Sequence, residues 1–284
     1  MWESRSHSSI LIVLLVVLTV ILGCYLFRSD IQLGQIWQKI SRFVAGQEIR
    51  FNTAQFQEMQ TEHFKIKYTQ TDDDYVNIIA ESAEQAYRQV SDKMNADGQQ
   101  KTTIVVYPNS RSLAKSFGWD KNEKALGVYW AGTIRILSPH EWLNQAYNEE
   151  EFKTDGPLVH EYVHLIVDDM TGGNYNRWWT EGVAQYIEKQ ITGFEFEDPQ
   201  DVTAGQLYTF QELDKNFDEL DQQISYWESR KAVEFIASQY GDEKIYLVMD
   251  YLAQGNTLYQ AIEKATGTDF NDFASQCYQY MEMQ

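Results

Sequence analysis

The sequence predicts an α+β fold in which a small mixed sheet precedes a helical C-terminal part. Segments with the alternating or β-branched apolar pattern of strands lie before residue 138, and a long segment of helical periodicity separates them. After residue 203, apolar residues recur at three- and four-residue spacing between isolated glycines, a pattern typical of successive helices. An uncharged apolar segment near the N-terminus adds a predicted transmembrane helix before the domain.

The composition is that of a globular chain with an acidic balance. A length of 284 residues allows one large domain or two tightly joined ones. The formal net charge is −19, and all of the excess negative charge lies after position 48. Because nucleic-acid binding needs clustered positive charge, we do not expect a nucleic-acid partner.

The N-terminal part divides into three predicted segments. Residues 1–9 form a short tail, and residues 10–27 are uncharged and mostly aliphatic, enough for one helix to cross a bilayer. We interpret residues 10–27 as a transmembrane signal anchor, with the lipid bilayer as a partner. A cleaved signal peptide and a lipoprotein signal ending at Cys24 are the alternatives. Residues 28–59 carry apolar residues at helical spacing and predict either a juxtamembrane spacer or a helix packed onto the domain.

Residues 60–284 are predicted to form the folded domain, and its first half supplies the sheet. Phe64–Tyr68 alternates apolar and polar residues, Thr102–Tyr107 is largely β-branched, and a helix from about residue 75 to residue 94 lies between them. Residues 127–137 are predicted as two strands or one bent strand, which a proline ends. The sheet would therefore be complete before the residues that carry the chemistry.

The clearest chemical motif is His160-Glu161-Tyr162-Val163-His164. On a helix, two histidines four positions apart project from one face, one turn apart, so that they can share a metal ion. Zinc accepts neutral imidazole nitrogens, and a carboxylate beside its open coordination position can take a proton from bound water. The spacing therefore predicts a zinc site that includes its own general base.

A third metal ligand is needed, and Glu181 is the candidate. The segment from Arg177 follows a glycine pair and predicts a second helix, in which Glu181 falls in the first turns. Gly182 and Ala184 are small enough to let helices approach closely. The alternative role for Glu181 is that of an ordinary first-turn glutamate, which the helix dipole favours.

Two motifs carry a family resemblance, HEYVH at residues 160–164 and WWTEGVAQY at residues 178–186. Together they resemble those of the gluzincin zinc metallopeptidases, most closely the peptidase MA-like branch, over roughly residues 60–280. The resemblance implies a thermolysin-like zinc peptidase domain that hydrolyses peptide bonds in a peptide or protein substrate. It also implies that His160, His164 and Glu181 bind Zn²⁺, and that Glu161 is the general base and later the proton donor.

The same resemblance assigns further candidate residues. Tyr226, which opens a helical segment, would donate its phenol to the oxyanion, or else would only pack at the helix start. Gly127, Tyr129 and Trp130 would belong to an edge strand that pairs with the substrate backbone, although their aromatic rings could instead be core. Asp168, one turn beyond His164, is predicted either to steer a metal ligand or to be an exposed helix-end acid. Gln185, one turn beyond Glu181, stands where some gluzincins place an acid that orients a histidine, and this departure predicts weaker support for the ligands without loss of zinc binding.

The peptidase type is predicted from a missing acid. The related aminopeptidases place a glutamate for the substrate amine in the strand after Gly127, whereas this chain has Val128, Tyr129 and Trp130 there. This difference favours an endopeptidase, and Glu228 is the acid that could serve an aminopeptidase instead. A second class of function stays open, in which the zinc is structural or turnover is lost and the chain is a membrane-tethered binding module.

The expected location follows from the apolar segment and the family resemblance. The Lys and Arg residues near the ends of residues 10–27 favour a cytoplasmic domain, whereas the short leader and the resemblance to exported peptidases favour an extracytoplasmic one. We expect a single-pass cell-membrane protein with an extracytoplasmic catalytic domain.

Overall fold

A five-stranded mixed sheet forms the first half of the domain. The structure, a computed structural model, describes residues 17–20, 33–98, 100–117, 125–143, 149–199 and 206–283. The strands are β1 (Gln57–Gln60), β2 (Phe64–Tyr68), β3 (Thr102–Tyr107), β4 (Gly127–Trp130) and β5 (Thr133–Leu137). Their order in the sheet is β1-β2-β3-β5-β4. β2, β3 and β5 are parallel, and β1 and β4 run antiparallel to their neighbours at the two edges.

Eleven α-helices surround and follow this sheet in the described part of the chain. They are α1 (Leu33–Asn52), α2 (Val76–Met94), α3 (Ser110–Phe117), α4 (Glu149–Asp155), α5 (Leu158–Thr171), α6 (Arg177–Thr192), α7 (Phe210–Asn216), α8 (Gln222–Tyr240), α9 (Glu243–Ala253), α10 (Leu258–Thr266) and α11 (Phe270–Glu282). Short 3₁₀ turns span Gln70–Asp72, Pro139–Glu141 and Phe217–Glu219. The predicted α+β class, with a small mixed sheet and a helical C-terminal part, is confirmed.

The burial of the strands explains their positions in the sheet. β2 buries every second side chain, as expected for a strand with one face on the core. All five residues of β5 are buried, because helices cover both faces of the sheet at its centre. On one face lies the main core, which continues into α5, α6 and α8. On the other face, Ile49 of α1 joins Val105, Tyr107, Leu113 and Leu137 in a smaller cluster.

The close contact between α6 and α8 depends on Gly182. A Cβ atom built on Gly182 would lie 2.2 Å from the carbonyl oxygen of Ser229, so no side chain fits between the two helix backbones. The small residue predicted to allow helix approach therefore does so, and the partner is α8. This contact fixes the residues beside Gly182, including Glu181, at the buried centre of the helical part.

The predicted membrane location is wrong. Residues 10–27 lie outside the described residues except for 17–20, which are helical, and so do residues 1–9 and Cys24. In the described ranges, no helix combines the length and the apolar character needed to cross a bilayer. The longest of them, α1, carries Lys39, Arg42, Glu48 and Arg50 within its 20 residues. This finding contradicts the predicted single-pass location in the cell membrane and leaves the bilayer partner without support.

Helix α1 packs onto the domain through polar side chains. The Gln38 amide donates to the Asp168 carbonyl oxygen at 2.6 Å, and Arg135 pairs with Glu48 at 2.8 Å. Residues 33–52 therefore match the second of the two interpretations of residues 28–59, a helix packed onto the domain. The predicted domain limits themselves stay predictions.

Candidate metal centre

The two motif histidines lie one turn apart on α5. This helix begins just after Pro157 and ends at Gly172, whose left-handed backbone (φ +64°) lets its N–H donate to the Asp168 carbonyl oxygen. The ring centroids of His160 and His164 are 4.8 Å apart. The helix therefore presents both imidazoles toward one point, as the spacing predicts.

Glu181 of α6 faces both histidines. Its Oε2 atom lies 3.5 Å from His160 Nε2 and 3.5 Å from His164 Nε2. The possible ligand atoms of the three residues all fall within 4.8 Å of one another. The structure thus brings together the three predicted ligands, although they come from two helices.

The outer nitrogen of each imidazole has its own partner. His160 Nδ1 lies 2.9 Å from Glu188 Oε2, and His164 Nδ1 lies 2.7 Å from Thr180 Oγ1. A carboxylate can only accept, so Glu188 favours a proton on His160 Nδ1, which would leave Nε2, on the side of Glu181, to bind a metal. A metal-binding histidine needs this arrangement.

The acid that orients His160 is Glu188, and not a residue one turn after Glu181. Gln185, one turn after Glu181, donates instead to the carbonyl oxygens of Tyr226 at 2.9 Å and of Glu181 at 3.2 Å. Glu188 lies two turns after Glu181, on the same helix face, and makes the contact. The glutamate seven residues after Glu181 is the signal in the sequence from which this contact could have been predicted.

Glu161 is buried beside the two histidines but points toward the sheet. The backbone N–H of Tyr129 in β4 donates to its carboxylate. A Cβ on Gly127 would lie 2.9 Å from Glu161 Cγ and 2.5 Å from Pro157 Cβ, so only glycine allows β4 to approach this closely. Burial raises the pKa of Glu161 above its usual value, although the two histidines oppose the shift.

The charges around the site favour a cation. Burial alone would raise the pKa of Glu181, but His164 and His160 outweigh it and hold the pKa well below its usual range. Glu161 and Glu188 add two further carboxylates around the same imidazole pair. Three acids and two histidines in a buried site form a region of negative potential that attracts a divalent cation.

Tyr226 of α8 lies beside the same group. Its hydroxyl hydrogen-bonds the guanidinium of Arg177, which also lies 3.6 Å from Glu181 Oε1 and pairs with Asp218 at 2.7 Å. Burial and the nearby Glu181 charge raise the pKa of Tyr226, so its phenol keeps the proton at neutral pH. Sequence reasoning did not identify Arg177.

The two aromatic candidates of β4, Tyr129 and Trp130, lie in different surroundings. Tyr129 places its ring 6.5 Å from that of His164, nearly parallel to it, and its hydroxyl donates to Asp168 at 2.6 Å. Trp130 is 56% exposed and contacts Phe117, away from the histidines. Asp168 therefore binds Tyr129 and not a metal ligand, and it is buried, so it is not the exposed helix-end acid of the alternative either. The expectation that the aromatic residues of β4 are core does not hold for Trp130.

Glu228 faces away from the metal centre. Its carboxylate is completely buried, and Oε1 accepts the backbone N–H of Tyr208 at 2.9 Å. Burial raises the pKa of Glu228 to about 8. An acid in this position cannot receive a substrate amine at the histidine pair.

Comparison with known proteins gives one family and several distant structural similarities. A family model described as the peptidase MA superfamily matches residues 82–282, which confirms the predicted resemblance. The crystal structure of the M1 zinc metallopeptidase from Deinococcus radiodurans has a TM-score of 0.43 and 14% identity, covering 80% of this chain and 50% of its own. A mutant of that enzyme gives the same values. A two-domain M1 zinc metallopeptidase mutant bound to L-arginine gives a TM-score of 0.37 and 13% identity, with the same coverage.

No curated protein sequence matches the chain. The chain spans half the length of the solved structures it matches. The family assignment therefore rests on the family model.

Proposed function

The chain belongs to the peptidase MA superfamily, and we propose that it is a zinc-dependent peptidase acting on peptide or protein substrates. The observation that carries the proposal is the convergence of His160, His164 and Glu181 from two helices. Membership in the superfamily and this group of side chains together imply zinc as the cofactor.

The side chains fit zinc in kind and in spacing. Two imidazole nitrogens and one carboxylate oxygen are a known ligand set of catalytic zinc, and ligand bonds of about 2.0–2.1 Å in a tetrahedral site separate the ligand atoms by about 3.3–3.4 Å. Both histidine nitrogens lie 3.5 Å from Glu181 Oε2. When bound, zinc would polarise the scissile carbonyl and make water more acidic.

Glu161 is the proposed general base. It is buried next to the ligand group, and the Tyr129 N–H fixes its carboxylate. From this position Glu161 would remove a proton from the attacking water and pass it to the leaving amine, so that the nitrogen departs as a neutral group. The held carboxylate orientation favours both transfers.

Tyr226 is the proposed oxyanion donor. Its protonated phenol lies close to both Glu181 and Glu161, and Arg177 holds the oxygen in place. A donor that is already oriented stabilises negative charge as it develops on the carbonyl oxygen. Arg177 would add positive charge behind the phenol.

The substrate would bind along the edge strand β4, which supports an endopeptidase. An extended peptide can add to an open sheet edge through main-chain hydrogen bonds. The residues of β4 include no acid to hold a free amine, and Glu228 is buried against Tyr208. A chain that continues in both directions would therefore be accepted.

A structural zinc site is the second candidate, and the ligand group disfavours it. Structural zinc takes four protein ligands, whereas the possible metal-binding group found in the described residues has three members. The fourth position would then be available for water and substrate.

The deciding experiment compares wild type with Glu161→Gln, both loaded with zinc, on a broad peptide library. We expect cleavage inside peptides by wild type and a loss of roughly 10²–10⁴-fold in the variant, with zinc retained. The exposed Glu219 provides a matched control, because Glu219→Gln makes the same change at an acid that has no assigned role in the site. Equal cleavage by Glu161→Gln would remove the proposed role, and products released one at a time from the N-terminus would instead indicate an aminopeptidase.

A further inference from the structure

Helix α1 lies outside the residues that the family model matches, yet it contacts Asp168 and Tyr129, which lie next to the proposed site. The match covers residues 82–282, and α1 ends at Asn52. We propose that Arg42 of α1 is a positioning residue that holds Tyr129, and through it the edge strand β4, against Glu161 and His164. The consequence for turnover rests on the proposed peptidase function, whereas the contacts themselves do not.

The guanidinium and the aliphatic part of Arg42 both contact the domain. Its Nε donates to Asp168 Oδ2 at 3.0 Å, one terminal nitrogen also binds Asp168, and the other lies 2.5 Å from Asp169 Oδ1. The first terminal nitrogen further donates to the Tyr129 hydroxyl at 3.2 Å. A Cβ on Gly132 would lie 3.1 Å from Arg42 Cγ, so the aliphatic part rests on the β4–β5 turn.

The Tyr129 hydroxyl is fixed from three sides. It donates to Asp168 at 2.6 Å and accepts from the Gly132 N–H at 2.9 Å as well as from Arg42. These bonds use the one donor and both acceptor positions of a phenol. The ring therefore has one orientation, and the strand that carries it is held at the same place.

Tyr129 transmits this orientation to two residues of the proposed site. Its backbone N–H donates to the Glu161 carboxylate, and its ring lies 6.5 Å from the His164 ring with an angle of 27° between the planes. Movement of Tyr129 would therefore change the position of the proposed base and open space beside a proposed ligand. Displacements of about 1 Å in such positioning groups can cost about 100-fold in rate.

Arg42 also offsets the negative charge of two buried acids at the C-terminal end of α5. Asp168 and Asp169 are adjacent at the C-terminal end of α5, and their side chains are each 7% exposed. The helix dipole disfavours negative charge there, and burial strengthens the repulsion between the two carboxylates. Arg42 pairs with both acids, so its removal would take away its own bond to the Tyr129 hydroxyl and leave the repulsion between the two acids uncompensated beside Tyr129.

The rest of α1 has its own attachments, which allows a matched control. Glu48 pairs with the fully buried Arg135, and Ile49 packs in the smaller core cluster. Glu48→Gln would weaken the docking of α1 without touching Asp168 or Tyr129. Arg42→Met keeps the aliphatic part of the side chain and removes the guanidinium.

The experiment measures hydrogen exchange of the amides in residues 127–132 of the full chain and the kinetics of the zinc-loaded enzyme. In Arg42→Met and in Tyr129→Phe we expect these amides to exchange at least about tenfold faster, and in Glu48→Gln to keep wild-type protection. We expect kcat to fall about 10- to 100-fold in both variants with zinc content unchanged, and the double variant to lose no more than the larger single loss.

Each outcome decides the proposal. Wild-type exchange in a folded Arg42→Met or Tyr129→Phe protein would overturn it, and so would losses that multiply in the double variant or an equal loss in Glu48→Gln. If Arg42→Met does not fold, Tyr129→Phe and Arg42→Lys give the same comparison. If the wild type cleaves no peptide, the proposed function fails, while the exchange result still tests the contact.

Discussion

The two walls of the candidate site are built in different ways. We call α5 and α6, which carry His160, His164, Glu181 and Glu188, the helix wall, and β4 with α1 the strand wall. The helix wall takes its three ligands and the glutamate that orients His160 from residues 160–188, and helix geometry fixes all four. The strand wall combines residues about 90 positions apart, which meet only through tertiary contacts. The four named residues of the helix wall should therefore control zinc affinity, whereas the strand wall, together with Glu161 of α5, should control turnover with zinc retained.

The largest effect is expected from a ligand of the helix wall. Glu181→Ala removes one of three converging ligands and leaves two histidines, so zinc binding and peptidase activity should both be lost. The effect should exceed the roughly 10–100-fold loss typical of residues that only support a ligand. Metal analysis after dialysis measures it. A variant that keeps one zinc per chain with wild-type affinity would contradict the ligand assignment.

Tyr226→Phe should reduce activity without reducing zinc content. Removing one oxyanion donor typically costs roughly 10²–10³-fold in kcat. The Tyr226 ring would keep its contact with Phe217, so the fold should be unaffected. Steady-state kinetics on a peptide found with wild type measures the loss, and an unchanged kcat would show that Tyr226 only packs at the start of α8.

Glu188→Gln tests the helix wall through a smaller expected loss of zinc affinity than Glu181→Ala. The amide can donate where the carboxylate only accepted, so His160 Nδ1 would no longer be held as the proton donor. Zinc affinity should fall roughly 10–100-fold. Competition with a chelator measures the affinity, with Glu219→Gln as the control. If Glu188→Gln lost activity at saturating zinc and kept the wild-type zinc affinity, the assignment of zinc affinity to the helix wall would be contradicted.

Gly127→Ala should give the smallest change, in the strand wall. The added Cβ would meet Pro157 and Glu161, so β4 must move away from α5. We expect a loss of about 1–3 kcal/mol in the free energy of unfolding, and a fall in kcat with zinc retained. Gly46→Ala is the control, because a Cβ there meets nothing within 4 Å. Denaturant titration measures the free energy of unfolding, steady-state kinetics measures kcat, and metal analysis measures the zinc content.

The same comparison explains how much of the molecule the sequence predicts. The histidine pair and Glu181 are predictable because a helix fixes the direction of side chains four positions apart. β2 and β3 are predictable because their apolar patterns match the burial that the sheet imposes. Local patterns were sufficient wherever one element determines the geometry.

Other features depend on contacts that no local pattern contains. β1 has the sequence QEMQ, which shows no alternation of apolar and polar residues, and its side chains are mostly exposed. It is a strand because it pairs with β2. Arg42 and Glu188 have ordinary helical surroundings in the sequence, and their roles arise from the partners that the fold brings to them. Asp168 and Gln185 had suitable spacing, but Tyr129, Arg42 and Tyr226 compete for their polar groups.

X-ray absorption at the zinc edge of the zinc-loaded full chain tests the central claim most directly. The account predicts one zinc per chain bound by two imidazole nitrogens and oxygen ligands at about 2.0–2.1 Å. It also predicts that His164→Ala, like Glu181→Ala, no longer holds stoichiometric zinc after dialysis. An ion bound by sulfur, an environment unchanged by His164→Ala, or no stoichiometric zinc in the wild type would contradict the account.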